Sequence, residues 1–350
     1  MSRVYLDWNA TAPLRPEARA AMAEACDVIG NPSSVHAEGR AARMLLERSR
    51  DQIAEALGAA QADIVFTSGA TEAAALALSG QGLACAGIEH DAVRAWADET
   101  LAADPSGQVS VPDPARSTLQ LANSETGVIQ TLPQGLAVSD LTQGFGKVPL
   151  AFDWLGVEVG FVSAHKLGGP RGVGALVLRS GVDRAAVLRG GGQESGRRAG
   201  TENLAGIAGF AAAAMAAQRD LAHGMAEKLT EMRDDLLMRL EDADGNTMFP
   251  GRESQRLPQT LSVLTPGWKG ETQVMQMDLA GFAVSAGSAC SSGKVRASGV
   301  LRAMGVAEAD AGCALRVSFG ATTTRQELDR FADAWLAARS RWQGKHGKAG

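Results

Sequence analysis

The chain has no long apolar run, no excess of positive charge, no paired cysteines and no repeated segment, and each absence removes a class of function. No stretch of its 350 residues is long and apolar enough to span a bilayer, and Met1 to Leu14 contains no apolar signal core. Neither a membrane protein nor a secreted one is expected. A net charge of −5 gives no field to draw in nucleic acid or an anionic membrane surface. The four cysteines, Cys26, Cys85, Cys290 and Cys313, are scattered, without a C-x-x-C pair or companion histidines at zinc spacing, so no metal site is expected. A reduced, cytoplasmic protein follows, in which a special cysteine is reactive rather than structural. What is present is ordinary for a globular chain, 45% hydrophobic and 21% charged, and long enough for one large domain plus a smaller one.

Short apolar runs alternate with amphipathic helical segments. Pro16 to Ala25 and Ala37 to Leu57 read as helices, the second interleaving Arg43, Glu47, Arg50 and Asp51 with Leu45, Leu46, Ile53 and Leu57. Asp63 to Thr67 reads as a strand that runs into Ser68 and opens an alanine-rich helix. Leu119 to Ala122, Val148 to Phe152, Val157 to Val162 and Gly174 to Leu178 read as further strands. A long helical stretch from Glu202 to Glu241, broken near His223-Gly224, precedes a later set of strands at Leu257 to Leu264, Val284 and Leu315 to Phe319. This alternation predicts an α/β fold around a mainly parallel sheet, with a smaller α+β region toward the C-terminus. The tail from Arg339, rich in Lys, Arg and Gly, reads as frayed.

The most informative segment is Val162 to Arg171. Lys166 follows Ser163 and His165 at the exit of an apolar strand, where a lysine walled by apolar residues loses basicity and can form a Schiff base. A surface lysine after an edge strand is the alternative. Ser163 and His165 alternate there as donors to an anion. Ser68 to Glu72 adds a helix start whose N–H groups and Thr71 hydroxyl suit a phosphate, although Thr71 as a simple N-cap fits the same residues. His90, Asn123, Asp140 and Gln143 supply a flat ring, an amide, a carboxylate and a second amide ahead of the lysine. Singly they read as a core histidine, a turn residue and a cap; together they are the groups a bound pyridoxal ring needs. Cys290 stands among Gly287, Ser288, Ala289, Ser291, Ser292 and Gly293, a setting for an accessible, reactive thiol rather than a packed one.

With these residues in place, the sequence resembles the cysteine desulfurases, in the NifS-like group I branch of the class V aminotransferase family. The landmarks, in order, are Tyr5 to Leu14, Asn31 to His36, Thr67 to Glu72, Glu89-His90, Asn123 to Gly127, and Asp140 with Gln143. Ser163 to Lys166, Gly190 to Glu194, Arg198 to Thr201, Ser285 to Cys290 and Leu315 to Ser318 complete them. The resemblance implies a fold-type I pyridoxal 5'-phosphate enzyme, with a large cofactor-binding domain over 13–222. A small domain from 1–12 and 223–350 would carry the cysteine loop. Lys166 would hold the cofactor and act as base. His90 would stack on the ring as a catalytic residue, Asp140 would meet the ring nitrogen, and Gln143 with Asn123 the phenolic oxygen or the substrate. Ala70, Thr71, Ser163 and His165 would bind the phosphate, and Thr201 would reach the phosphate of the neighbouring subunit in a homodimer. Arg316, Asn123 and Asn31 would hold the substrate, Arg316 by its carboxylate. L-cysteine would become L-alanine, leaving a persulfide on Cys290 for a sulfur-acceptor protein such as an iron–sulfur scaffold.

The sequence also departs from the family. Trp8 stands where Asn or His is commoner, and Ala73-Ala74-Ala75 replaces polar residues after Glu72. Segments 103–117 and 131–139 are short, as though two surface helices had been trimmed. Selenocysteine lyases share the scaffold, a class V aminotransferase would need no loop cysteine, and a non-catalytic partner could retain the fold; these readings stay open at this point.

Overall fold

Pro16 opens the first helix at a position where its missing N–H costs nothing, and the His36 ring caps the second by accepting from Gly39 N. The computed structural model describes residues 3–287 and 297–346. Its first half runs β1 (Val4–Tyr5), α1 (Pro16–Cys26), α2 (Ala37–Leu57), β2 (Ala62–Thr67), α3 (Ala70–Leu78), β3 (Ala84–Ala86), α4 (Asp91–Arg94), β4 (Asp98–Leu101), β5 (Leu136–Asp140), β6 (Val157–Ser163) and β7 (Gly174–Arg179). The second half runs α5 (Leu204–Ala222), α6 (Met225–Ala243), β8 (Thr260–Leu264), α7 (Gly270–Leu279), β9 (Phe282–Ala283), β10 (Ser285–Ala286), α8 (Gly299–Ala303), α9 (Glu308–Ala311), β11 (Ala314–Ser318) and α10 (Arg325–His346).

β2, β7, β6 and β5 form one sheet in that order. β5 and β6 are parallel, and β7 lies antiparallel between β2 and β6. Parallel bridges Thr118–Val138 and Ala84–Ser117 continue the sheet toward β3, which pairs in parallel with β4. Apart from the reversed β7, the described sheet is parallel, and both its faces are covered. Leu176 and Leu178 of β7 join Ala73, Ala74 and Ala77 of α3 in one apolar cluster. Ala175 and Val177, alternating with them, join Phe210 and Ala214 of α5 in another. Small alanines on α3 and α5 let the helices lie close on the sheet.

A separate core forms where β8, β11 and β10 make an antiparallel sheet and β1 pairs with β9. Leu6, Leu237, Val263, Trp268, Val317 and Phe331 meet there, so the N-terminal residues pack with the C-terminal half.

Three sequence expectations need correction. Val148 to Phe152 is not a strand: Pro149 has no N–H for a ladder, and the segment leads into a 3-10 turn at Phe152–Trp154. Leu119 to Ala122 is held by isolated bridges at its ends rather than as a strand, while Leu136–Asp140, inside a segment read as trimmed, forms β5. The tail is not frayed from Arg339. α10 continues to His346, because Arg339 pairs with the buried Asp244 carboxylate at 2.6 Å and Trp342 stacks on Trp268. The other short segment, 103–117, contains only one 3-10 turn, at Pro114–Arg116.

Candidate active site

The strands of the main sheet end together, and their last residues carry the polar side chains. Thr67 of β2 and Ser163 of β6 are both level with Gly174 of β7, and Asp140 of β5 is level with Phe161 of β6. Open α/β sheets bind ligands at this edge. A cavity of about 640 Å³ lies there, and Ala70, Thr71, His90, Asp140, Gln143, Ser163, His165, Lys166 and Arg316 all line it. Gly174 permits this packing: a Cβ there would stand 2.8 Å from the Gly69 backbone and 2.6 Å from the Val162 carbonyl.

One wall is the start of α3. Gly69 is its N-cap and no side chain caps it, so Thr71 lies inside the first turn and its hydroxyl is not used as a cap. The turn is fixed from outside. Glu72 accepts from Ser68 N at 2.8 Å and pairs with Arg198 at 2.8 Å. Burial alone would raise the Glu72 carboxyl, but Arg198 and Ser68 outweigh it and hold it below its usual range. His165, joined to the Thr11 hydroxyl at 3.2 Å, has its pKa pushed down to about 4 by burial and by the Lys166, Arg171 and Lys147 charges. It is neutral at pH 7 and can accept or donate one hydrogen bond.

Lys166 stands on a single helical turn directly after β6, and Nζ donates to Asn9 O at 2.7 Å and Ala10 O at 2.9 Å. Gln143 Nε2 donates to the same Asn9 carbonyl at 3.0 Å, and its Oε1 accepts from Lys147. Asn9 is 1% exposed; its own amide bonds Ser124 O and Thr260 Oγ1. It ties the lysine to both cores. Sequence reasoning assigned Asn9 no role, because a lone amide in a loop looks the same whether or not it joins distant elements.

Burial acts on both carboxyls of this wall. Burial raises the Asp140 carboxyl, against the Thr142 N–H, which donates to it at 2.8 Å, and the Lys166 charge. Burial raises Glu89 far above its ordinary value, with only the Gln120 N–H opposing and Asp140 adding to the rise. His90 Nδ1 accepts from Ala92 N at 3.0 Å, which assigns a ring proton to Nε2.

Arg316 enters from β11, 6% exposed, bonding Asp7 at 2.7 Å and Ser124 O at 3.1 Å. Its Nε is buried with no hydrogen-bond partner, as is the Thr142 hydroxyl oxygen; both residues line the cavity. The pairing with Asp7, 309 positions away, has no sequence signal.

Other expected residues lie elsewhere. Asn123 is 2% exposed and does not line the cavity: its amide holds Ile88 O, Glu125 N and Thr126 N, the turn role that was the alternative reading. Asn31 and Thr201 are exposed and away from the cavity lining, and Asn31 Oδ1 accepts from Ser33 N. Cys290 lies outside the described residues.

These residues fit pyridoxal phosphate. A helix start with a spare threonine hydroxyl, Ser163 and neutral His165 suit a phosphate. A buried carboxylate without a full cation partner suits a protonated ring nitrogen, and a strand-end amine suits the aldehyde.

Comparison with known proteins agrees. The aminotransferase class-V family model matches residues 4–98 and 112–331, and its gap covers much of the shortened connection before β5. The cysteine desulfurase IscS of Dictyoglomus turgidum is 35% identical over 94% of this chain and 93% of its own. A cysteine desulfurase of Frankia sp. is 38% identical over 96% and 91%. The solved structure of a NifS-like protein from Rickettsia africae superposes with a TM-score of 0.87 at 29% identity, covering 97% of this chain and 99% of that one.

Proposed function

The chain belongs to the class-V aminotransferase family as a pyridoxal-phosphate-dependent cysteine desulfurase, and we propose that it converts L-cysteine to L-alanine with sulfur captured on Cys290. The observation that supports this most is the cavity shared by Lys166, Asp140, His90 and the α3 N-terminus on one side and Arg316 on the other. When bound, the cofactor withdraws electrons from the substrate carbon skeleton. The Arg316 guanidinium, with Nε unspent, receives the substrate carboxylate. Lys166 Nζ takes the proton from the substrate Cα and returns protons to the carbon fragment. The Cys290 thiolate attacks the substrate sulfur: an S–S bond forms, the Cβ–S bond breaks, and the carbon fragment leaves as alanine after protonation. The substrate carbon is thereby reduced and the sulfur pair oxidised to a persulfide, with no outside oxidant.

The two buried thiols suit this role less. Burial pushes Cys85 up to about 12 and raises Cys313, so both stay protonated. Cys290 follows Gly287, which lines the cavity, by three residues in the sequence.

The same reading includes a homodimer in which exposed Thr201 serves the neighbouring phosphate site, and transfer of the persulfide to an acceptor protein for iron–sulfur assembly. It also retains a large domain over 13–222 and a small one from 1–12 and 223–350, supported by the two cores, and a cytoplasmic setting. Among the described residues, no helix is long and apolar enough to cross a membrane. The test is to supply L-cysteine to the cofactor-loaded protein, measure alanine and map the alkylated persulfide by mass. Persulfide on another cysteine, or none with alanine still formed, would overturn the assignment of Cys290. Sedimentation showing a monomer that is fully active and retains its cofactor would overturn the dimer.

A further inference from the structure

Glu125 follows the Asn123 turn, and its backbone is fixed there because Asn123 Oδ1 accepts from Glu125 N at 2.9 Å. Its side chain leaves the cavity wall and meets the two residues that flank the cysteine-bearing segment. Ser298 Oγ donates to Glu125 Oε2 at 2.5 Å. A Cβ added to Gly287 would lie 2.8 Å from that same oxygen and 3.2 Å from the Ser298 Cβ. One carboxyl oxygen thus sits close to both flanks.

Both flanks are themselves held. Ser285 and Ala286 pair with Arg316 and Leu315 on β11, placing Gly287 directly beyond the strand that presents Arg316. Ser298 is 2% exposed, its N–H donates to Ala311 O, and its Oγ accepts from Leu301 N at 3.0 Å as the cap of α8. Glu125 reaches them from the turn that also carries Ser124, whose carbonyl accepts from both Asn9 and Arg316. The carboxyl therefore joins the substrate-facing loop to the base of the thiol segment.

We propose that Glu125 is a positioning residue for sulfur capture, bonding Ser298 and standing beside Gly287 at the two ends of the chain segment whose sequence contains Cys290. This rests on the cysteine desulfurase reading and adds to it a residue that touches neither cofactor nor substrate. A structural prop for the turn would be served by an apolar side chain, but Glu125 places an acceptor oxygen in the interior. Burial pushes its pKa up to about 7, against the Ser298 hydrogen bond and the Arg316 charge, with Asp91 from α4 adding to the rise. Such a costly group is retained where its hydrogen bond is used.

The experiment uses the full-length, cofactor-loaded protein and the variants Glu125→Ala, Glu125→Gln and Ser298→Ala. Two rates are followed after mixing with L-cysteine: the first absorbance change of the bound cofactor, and the appearance of alkylatable persulfide on Cys290. Glu125→Ala and Ser298→Ala are expected to slow persulfide formation about tenfold, as for loss of one charge-assisted hydrogen bond, with cofactor content and the first absorbance change unaltered. Glu125→Gln, which keeps an acceptor oxygen, restores most of the rate. Ser298→Ala carries the test if Glu125→Ala does not fold. Persulfide formation at the wild-type rate in both truncations overturns the proposal, as does equal slowing of the first absorbance change, or a Gln variant as slow as Ala. A wild-type protein that forms no persulfide on Cys290 overturns the underlying reading instead, and is distinguishable because no variant is then needed to see it.

Discussion

The two walls of the cavity are built on different principles. The large-sheet wall uses regular backbone: Thr67, Asp140 and Ser163 end β2, β5 and β6, and α3 starts at the same edge. The opposite wall uses pairs between residues far apart in the chain. Arg316 is held by Asp7, the thiol segment's base by Glu125 with Ser298, and α10 behind them by Arg339 with Asp244. A wall of strand ends presents fixed donors to a permanent guest. A wall of side-chain pairs holds groups whose partners can be exchanged, as a transient substrate carboxylate would require. On the proposed function, the contrast separates holding a cofactor from handling a substrate.

The largest expected effect lies on the strand-end wall. Lys166→Ala removes the amine that donates to Asn9 O and Ala10 O, and Lys147, whose Nζ is turned to Gln143 and Asn9 Oδ1, does not replace it. Alanine formation should fall to background and the borohydride-reducible bond between protein and cofactor should disappear. A reducible bond that persists in the variant would show that the wall of strand ends does not hold the guest through this residue.

Next comes the framework of the other wall. Arg339→Ala leaves the Asp244 carboxylate buried without its cation, and breaking a buried pair in this way costs about 3–5 kcal/mol. Denaturant unfolding should report that loss, with turnover per folded molecule retained at low temperature. An unchanged midpoint would mean that the small core does not depend on its long-range pairs.

How much of this was legible follows the same division. The helices Pro16–Cys26 and Ala37–Leu57, the strand before Lys166 and the break near Gly224 all carry local signals: a proline, a 3.6-residue apolar period, a β-branched run, a glycine. Lys166, Thr71 and Ser163 stand out because a strand end and its polar residues are adjacent in sequence, whereas Asp140 is placed only by the Asp-x-x-Gln spacing of the family it resembles. β5 was missed because Leu136-Ala137-Val138-Ser139-Asp140 is short and lies in a segment that looked trimmed. The expected strand at Val148 failed on Pro149, and the expected frayed tail failed on a pair with Asp244, 95 positions away. Asn9, Asp7 and Glu125 escaped for one physical reason: each acts through a partner brought close only by the fold.

Arg316→Lys is the next smaller effect and tests whether the second wall handles the substrate carboxylate. An ammonium cannot retain Asp7 and Ser124 while also offering a fork to a carboxylate. KM for L-cysteine should rise about tenfold to a hundredfold, with cofactor binding unchanged. A lower kcat with KM unaltered would move Arg316 from substrate binding to the chemical step and blur the division between walls.

The last effect is a pH dependence of stability at the seam where the walls meet. Burial raises the folded-state pKa of Glu125 to about 7, whereas an unfolded chain holds a glutamate near its ordinary value of about 4.3. A carboxyl raised on folding favours the folded state while protonated. That contribution is complete below about pH 4, declines as the pH rises, and is lost through pH 7. Glu125→Gln carries no charge at any pH and keeps an acceptor for Ser298, so it escapes the decline. Its melting temperature should equal that of the wild type at or below about pH 4 and exceed it by about 5 °C above pH 7.5, corresponding to about 4 kcal/mol, when both proteins carry the same cofactor load. The sign matters more than the size. A Gln variant that is less stable above pH 7 would mean that the Arg316 and Ser298 interactions make the charged carboxyl a net stabiliser, and the seam would then belong with the ion-paired wall rather than between the two.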